Sequence, residues 1–354
     1  MSRFWTETVR RLTPYVPGEQ RSGPDVVKLN TNENPYPPSA AVLEAIAGVT
    51  GEALRLYPDP ESVRLREALA RRHGLDVSEV FVGNGSDEVL ALAFLAYFGE
   101  GKTLQFPDIS YAFYAVYCEL YGIAARPVPL GEDFEIALDR YEANAGGICF
   151  PNPNAPTGLA LPLAEIAGLL RRHDRHVLLV DEAYADFGAD SAIGLVRDHP
   201  NLLVSRTFSK GRSLAGLRLG AAFGDAALIE GLQRVKNSFN SYPVDALAQR
   251  AGTASLADET SYRRGIERIV ATRARVTREL EARGFRVLPS AANFVFVRPP
   301  DGSGRSLFER LGEAGVLVRH WGTPRLAEWL RISIGTDADM DRLLSAIDDP
   351  PDGV

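Results

Sequence analysis

Short apolar runs rich in β-branched residues recur through the middle of the chain, at residues 80–82, 147–150, 177–180 and 202–204. Each is long enough for a strand buried on both faces and too short for a helix. Segments with helical spacing of apolar positions, such as Leu163–Arg172, lie between several of them. Strands alternating with helices predict βαβ units and a mostly parallel sheet covered by helices, an α/β fold. No repeat of 20 to 50 residues interrupts this pattern, which excludes solenoids and propellers.

The two ends of the chain are patterned differently. Residues 1–30 carry Pro14, Pro17 and Pro24, too many breaks for long helices. Residues 255–290 have a charged helical pattern through Arg263, Glu267, Arg273 and Glu279. A strand at 293–298, a helix at 306–314 and strands at 316–319 and 330–334 follow, the order of a separate α+β unit. The expected division is an N-terminal arm (1–30) packing on a small C-terminal α+β domain (251–354), with a large domain (31–250) between them.

Composition narrows the functions. In 354 residues, 39 Lys+Arg against 46 Asp+Glu leave a net charge of −7, with no basic run to follow a phosphate backbone. Nucleic acid is therefore not expected as a partner. The most apolar stretch, 89–98, is about half the roughly 20 residues a membrane span needs, and Arg3, Arg10 and Arg11 precede no apolar signal core. A cytoplasmic location without membrane contact is the expectation. Cys118 and Cys149, the two cysteines, are too few for a disulfide framework or a structural zinc site. His173 and His176 are read as a solvated helix end with no metal, and His73, before Gly74, as a helix C-terminus whose dipole suits a positive charge.

Only four basic residues are lysines, Lys28, Lys102, Lys210 and Lys236. Chemistry that needs an amine able to lose its proton must use one of them, because arginine does not deprotonate. Three short motifs surround the question. In Val80-Phe-Val-Gly-Asn-Gly-Ser-Asp-Glu88 a strand enters a glycine turn and then an apolar helix, with Ser86 or Asp87 as the expected cap and the helix start as an anion site. Asp181-Glu-Ala-Tyr184 follows an apolar strand and puts an acid at its carboxyl end, the edge where open α/β sheets bind ligands. Ser205-Arg-Thr-Phe-Ser-Lys210-Gly-Arg-Ser-Leu-Ala-Gly-Leu-Arg218 follows the next strand, about one βαβ unit later. An acid and an amine on one sheet edge suggest pyridoxal phosphate: the amine forms a Schiff base and the acid keeps the pyridine nitrogen protonated. Ser209, Arg218 and the Gly85–Asp87 turn would bind the phosphate. Gly101-Lys102-Thr103 imitates the end of a P-loop, but Ala96 stands where the first glycine is required.

With these residues the chain resembles the fold-type I pyridoxal-phosphate aminotransferases, and is most similar to the histidinol-phosphate aminotransferase family. The resemblance runs from Leu12-Thr-Pro-Tyr15 through Leu29-Asn-Thr-Asn-Glu-Asn-Pro35, Tyr57-Pro-Asp59, Pro151-Asn-Pro-Asn-Ala-Pro-Thr-Gly158 and the three motifs above to Leu330-Arg-Ile-Ser-Ile-Gly-Thr336. It implies a large cofactor-binding domain, a small domain and a homodimer with composite sites. It implies that Lys210 is the Schiff-base lysine, that Asp181 partners the pyridine nitrogen and that Tyr184 bonds the ring's phenolic oxygen. Tyr111 would stack on the ring, Thr207 would join the phosphate set, and Tyr57 would reach the phosphate from the other subunit. Arg319 and Arg331 would grip the substrate's anionic end, with Tyr15 and Asn32 as further substrate contacts. The family's asparagine before Pro-Thr-Gly is replaced by Ala155, so the ring-oxygen role falls to Asn154, or else to Asn152. Phe239 and Tyr242 compete for a substrate-facing aromatic position, and His320 and Trp321 either shape the substrate pocket or fill a loop, the loop being preferred.

The implied reaction is ping-pong amino transfer from histidinol phosphate to 2-oxoglutarate, giving imidazole-acetol phosphate and glutamate, a step of histidine biosynthesis. The same scaffold suits aromatic amino acid aminotransferases and a lyase resembling threonine-phosphate decarboxylase. A non-enzymatic regulator would need an effector module, and no helix-turn-helix or basic arm precedes the core.

Overall fold

A computed structural model describes residues 2–348 apart from 16, 17, 22, 100 and 143–145, so Pro17 lies outside the described residues. Seven strands form the main sheet, in the order Val80–Asn84, Leu219–Gly224, Leu202–Thr207, Leu178–Asp181, Gly147–Pro151, Thr103–Pro107 and Ala124–Val128. All neighbours run parallel except Leu219–Gly224, which is antiparallel to the strands on both sides. The four apolar runs recognised in the sequence are all in this sheet.

Alternation along each strand explains why both faces are covered. Phe81, Cys149, Leu179 and Leu203 pack on one side with the helices Gly85–Tyr97 and Phe113–Tyr121. Their neighbours Val80, Ile148, Leu178 and Val204 point to the other side, among Leu69 of Val63–His73 and Ile166 of Leu163–Arg172. Successive side chains of a strand face opposite ways, so a strand between two helical layers must be apolar at every position.

A four-stranded antiparallel sheet follows in the C-terminal part, in the order Arg319–His320, Leu330–Ser333, Phe294–Arg298 and Arg286–Val287. The N-terminal segment joins this region: Val27–Lys28 pairs in parallel with Val316–Leu317, and Val27 and Leu29 share a buried cluster with Ile269, Leu307 and Ile332. Residues 255–290 differ from the single helix expected. One helix, Ala246–Ala257, ends at Asp258, whose carboxylate accepts from Ser261 N and starts a second, Glu259–Ala282. That helix stops before Gly284, which takes φ +81° and turns the chain into Arg286–Val287. No described helix is long and apolar enough to cross a membrane.

Two histidine readings are corrected. His173 is buried at 4% exposure at the end of its helix, not solvated. His73 does sit before an αL Gly74, but burial, with Arg206 and Arg72 nearby, lowers its pKa to about 4. The ring is neutral at physiological pH, and the helix dipole gains no charge from it.

Candidate active site

The carboxyl ends of the central parallel strands converge on a cavity of about 510 Å³ lined by Ser86, Asp87, Tyr111, Asp181, Tyr184, Thr207, Ser209, Lys210 and Arg218, together with Tyr15 and Thr31. Register accounts for part of this. Asp181 pairs with Ser205 at the end of the Leu178–Asp181 and Leu202–Thr207 ladder, so the Asp181 and Lys210 segments leave the sheet side by side. Among the four lysines, Lys210 alone lines the cavity. Lys28 pairs with Glu33, Lys236 bonds Pro60 O and Glu61, and Lys102 is exposed.

Lys210 Nζ donates to Thr31 O at 2.9 Å, and Asn34 Nδ2 holds the Lys210 carbonyl at 2.9 Å. Burial and the Arg331 guanidinium bring the ammonium pKa down to about 8. At pH 7 roughly a tenth of the group is then free amine, far more than an ordinary lysine offers. Asp181 is fully enclosed, and burial pushes its pKa up to about 7, opposed by a hydrogen bond from Tyr114. Tyr114 Oη donates to Asp181 Oδ2 at 3.0 Å, while Asp181 Oδ1 has no hydrogen-bond partner. A buried carboxylate oxygen left open beside a cavity is a place for a donor on a bound molecule.

At one end of the cavity the helix Gly85–Tyr97 begins. Neither Ser86 nor Asp87 caps it, contrary to expectation. The N-cap is Asn84, and Asp87 instead accepts from Arg218 Nη2 at 2.7 Å and Tyr111 Oη at 2.7 Å. Gly85, at φ +78°, lets the Arg218 guanidinium pass, since a Cβ there would stand 2.6 Å from Nη2. Thr207 Oγ1 and Ser209 Oγ lie 3.0 Å apart beside Arg218. Hydroxyls, a guanidinium and the free N–H groups of a helix start form an anion cup.

A second chamber of about 230 Å³ shares Tyr15, Thr31, Tyr111, Tyr184 and Lys210 with the first and extends to Asn32, Arg319, Trp321 and Arg331. Arg319 and Arg331 are direct cross-strand partners, so both side chains leave the same face of the small sheet. Arg331 is anchored by Nη2 to Asn30 O at 2.8 Å, and its Nε is buried without a partner. Burial lowers the Arg331 pKa, and Arg319 adds to the shift. Among the described residues, three basic side chains and no carboxylate line this chamber.

Trp321 is a correction. It belongs to the chamber wall, with the guanidinium carbons of Arg319 and Arg331 at 5.7 and 5.5 Å from its ring, while His320 turns away and bonds Ala327 O. Neither candidate asparagine lines a chamber. Ala155 lines both, whereas Asn154 Nδ2 donates to Ile109 O and Thr157 Oγ1 with its Oδ1 buried and unpartnered, and Asn152 bonds Leu161. Asn32 reaches Tyr184 Oη at 3.0 Å and is itself fixed by Ser333. Tyr57 lies outside both chambers of its own chain, 81% exposed and stacked on Tyr242 at 4.6 Å, with Phe239 equally exposed. Tyr114, Thr31 and Asn34 escaped the sequence reading. Asn34 stands inside the recognised Asn-Glu-Asn-Pro run, but nothing local reveals that its partner is 176 residues away.

The model for aminotransferase class I and II matches residues 24–347. A histidinol-phosphate aminotransferase 2 of Thiobacillus denitrificans is 55% identical over 347 residues, 98% of this chain and 97% of the relative. A histidinol-phosphate aminotransferase of Acetobacter pasteurianus is 52% identical, covering 99% and 98%. Among solved structures, a histidinol-phosphate aminotransferase of Sinorhizobium meliloti in complex with pyridoxal 5'-phosphate superimposes with a TM-score of 0.87 at 28% identity, covering 98% and 97%.

Proposed function

The chain belongs to the class I and II aminotransferases, and from that premise we propose that it transfers the amino group of histidinol phosphate to 2-oxoglutarate with pyridoxal phosphate as cofactor. The observation that carries the choice of donor is the second chamber: Arg319 and Arg331 with no carboxylate beside them, on the side of Lys210 away from the first anion cup. Two guanidiniums match the oxygens of a phosphate dianion better than one carboxylate can.

The residues of the larger chamber fit the cofactor. The Ser86, Thr207, Ser209 and Arg218 cup suits its phosphate, the open Asp181 Oδ1 suits a protonated ring nitrogen, and Tyr184 Oη suits the ring's phenolic oxygen. When bound, pyridoxal phosphate supplies an aldehyde that takes up the amino group and a ring that withdraws electrons from the adjacent carbon. Tyr111, fixed by Asp87, would cover one face of the ring. Asp87 neutralises part of the Arg218 charge and sets its direction. Lys210, its ammonium pKa lowered to about 8, would hold the cofactor's aldehyde as a free amine, and its Nζ, when released, would serve as the base for the proton on the substrate's amine-bearing carbon. Arg331 and Arg319 hold the substrate's anionic end, and Arg331 then holds a carboxylate of the 2-oxo acid. Tyr15 and Asn32 border both substrates. Asn154 and Asn152 shape the turn that presents Ala155.

The enzyme acts in the cytoplasm as a homodimer in which Tyr57 completes the phosphate cup across the subunit boundary. Supporting this are the exposed, mutually stacked Tyr57 and Tyr242 and the exposed Phe239, an apolar surface unsuited to water. Mixing a Tyr57 variant with a Lys210 variant, both inactive, restores part of the activity if subunits share the site, and none if each chain is complete.

The donor is tested with histidinol phosphate, free histidinol, phenylalanine and threonine phosphate, following absorbance of the bound cofactor and release of carbon dioxide. Histidinol phosphate is expected to exceed histidinol by about a hundredfold or more in kcat/KM. Equal rates, a preference for phenylalanine, or carbon dioxide release would overturn the assignment.

A further inference from the structure

Asp181 has two carboxylate oxygens in unlike surroundings. Oδ2 accepts from Tyr114 at 3.0 Å, and Oδ1 is buried and unpartnered in a residue that lines the larger cavity. Tyr114 is 0% exposed and does not line the cavity. Its ring is locked by Phe94 and Phe106 at 6.0 Å and by an edge contact with Tyr111 at 5.7 Å, so the hydroxyl has little freedom to turn elsewhere. Burial drives the Tyr114 pKa well above its ordinary value, which keeps the phenol a proton donor.

We propose that Tyr114 is a positioning residue that holds Asp181 by Oδ2, so that Oδ1 is the oxygen presented to the cofactor's ring nitrogen. The inference rests on the cofactor reading above, and it assigns to Tyr114 a role no motif conveys. Asp181 otherwise faces Asp87 and Glu182, both of which push its proton affinity up, with Cys149 on the adjacent strand and Tyr111 and Tyr117 on the Tyr114 side. Asp87 and Glu182, when ionised, cannot donate to it, and the Ala183 N–H is the backbone donor that remains. Without the phenol, Oδ2 is left without its side-chain donor in a dry site. The geometry at the ring nitrogen then degrades, while the phosphate cup, built on other segments, stays intact.

The test compares affinities of the full-length chain, freed of cofactor by dialysis, for pyridoxal 5'-phosphate and for its 1-deaza analogue, in which the ring nitrogen is CH. The native chain is expected to favour the natural cofactor, because only that molecule bonds Asp181. Y114F is expected to shrink this preference by about tenfold while leaving affinity for the analogue within about twofold. Equal loss of affinity for both molecules would mean general damage to the pocket and would overturn the proposal, as would an unchanged preference. Absence of any preference in the native chain would instead remove the Asp181 reading on which it rests. Should Y114F fail to fold, Y114H and Y114L carry the same comparison: the imidazole, which can still donate to Asp181 Oδ2, is expected to keep more of the preference than leucine, and equal preferences in the two would overturn the proposal.

Discussion

The two chambers that meet at Lys210 are built on different principles. The larger, of about 510 Å³, collects side chains from the ends of adjacent parallel strands and the turns that follow them, and two of its charged groups have side-chain partners: Arg218 with Asp87, and Asp181 with the Tyr114 hydroxyl behind it. The smaller, of about 230 Å³, draws on the N-terminal segment, the 110–112 turn and two strands of the small sheet, and its charges are all of one sign. A chamber with internal pairs is organised before anything binds. One lined by unpaired guanidiniums stores repulsion that an anionic substrate relieves. On the proposed function, affinity for the cofactor and selectivity for the substrate belong to separable parts of the molecule.

The most severe way to break that separation is at the residue both chambers share. K210A is expected to lower turnover by at least about 10⁴-fold while cofactor still binds noncovalently through the Arg218 cup. Steady-state rates and cofactor absorbance check both halves, and borohydride reduction of the native enzyme should fix the label on Lys210. Label on Lys102 or Lys236 would contradict the site.

Removing one arginine of the smaller chamber should act on substrate alone. R319A is expected to lower kcat/KM for the phosphorylated donor by about ten- to a hundredfold with little change in cofactor affinity. R331A should impair the 2-oxo acid half-reaction as well, and single-turnover measurement of each half-reaction separates the two.

The coupling between the chambers can be read in pH. Burial and Arg331 both hold the Lys210 pKa near 8, below its ordinary 10.5. In cofactor-free protein the rate of cofactor capture should rise with pH through a midpoint at about 8 to a plateau roughly one unit higher. R331Q should displace that midpoint upward, because one cation opposing the ammonium is gone. Stopped-flow absorbance between pH 6.5 and 10 measures it, and an unmoved midpoint would show the chambers to be electrostatically independent.

Outside both chambers the expected effect is smallest. The pKa of His73 is depressed to about 4 from 6.5, so the unfolded chain binds more protons between those values. His73 then contributes a loss of stability as pH falls from about 6.5 to 4, and none above that window. H73Q should flatten this part of the stability profile without changing activity, as denaturant titrations across that range can show.

Much of the large sheet and of its chamber was legible in the chain because the determinants are local. A strand buried on both faces must be a short apolar run, and a ligand edge must follow it, so Asp181, Tyr184 and Lys210 declare themselves by what precedes them. Lysine scarcity sharpened the choice further, since chemistry that needs a free amine had four candidates. Other features came from contacts between segments far apart in sequence. The antiparallel strand Leu219–Gly224 was not anticipated, because an apolar run does not specify its direction. Whether Trp321 shapes the pocket or fills a loop is open in the sequence, and the cross-strand pairing of Arg319 with Arg331 places it against both guanidiniums. Ala155 in place of an asparagine, the capture of Asp87 by Arg218 and the bond from Tyr114 to Asp181 each depend on which groups meet after packing. Sequence alone determined which chemistry was present and which sheet edge would carry it, because strand burial and amine chemistry are properties of short segments. Only the tertiary structure decided which polar atoms are satisfied and which stay open for a ligand, because hydrogen bonding and desolvation depend on neighbours that the chain brings together from a distance.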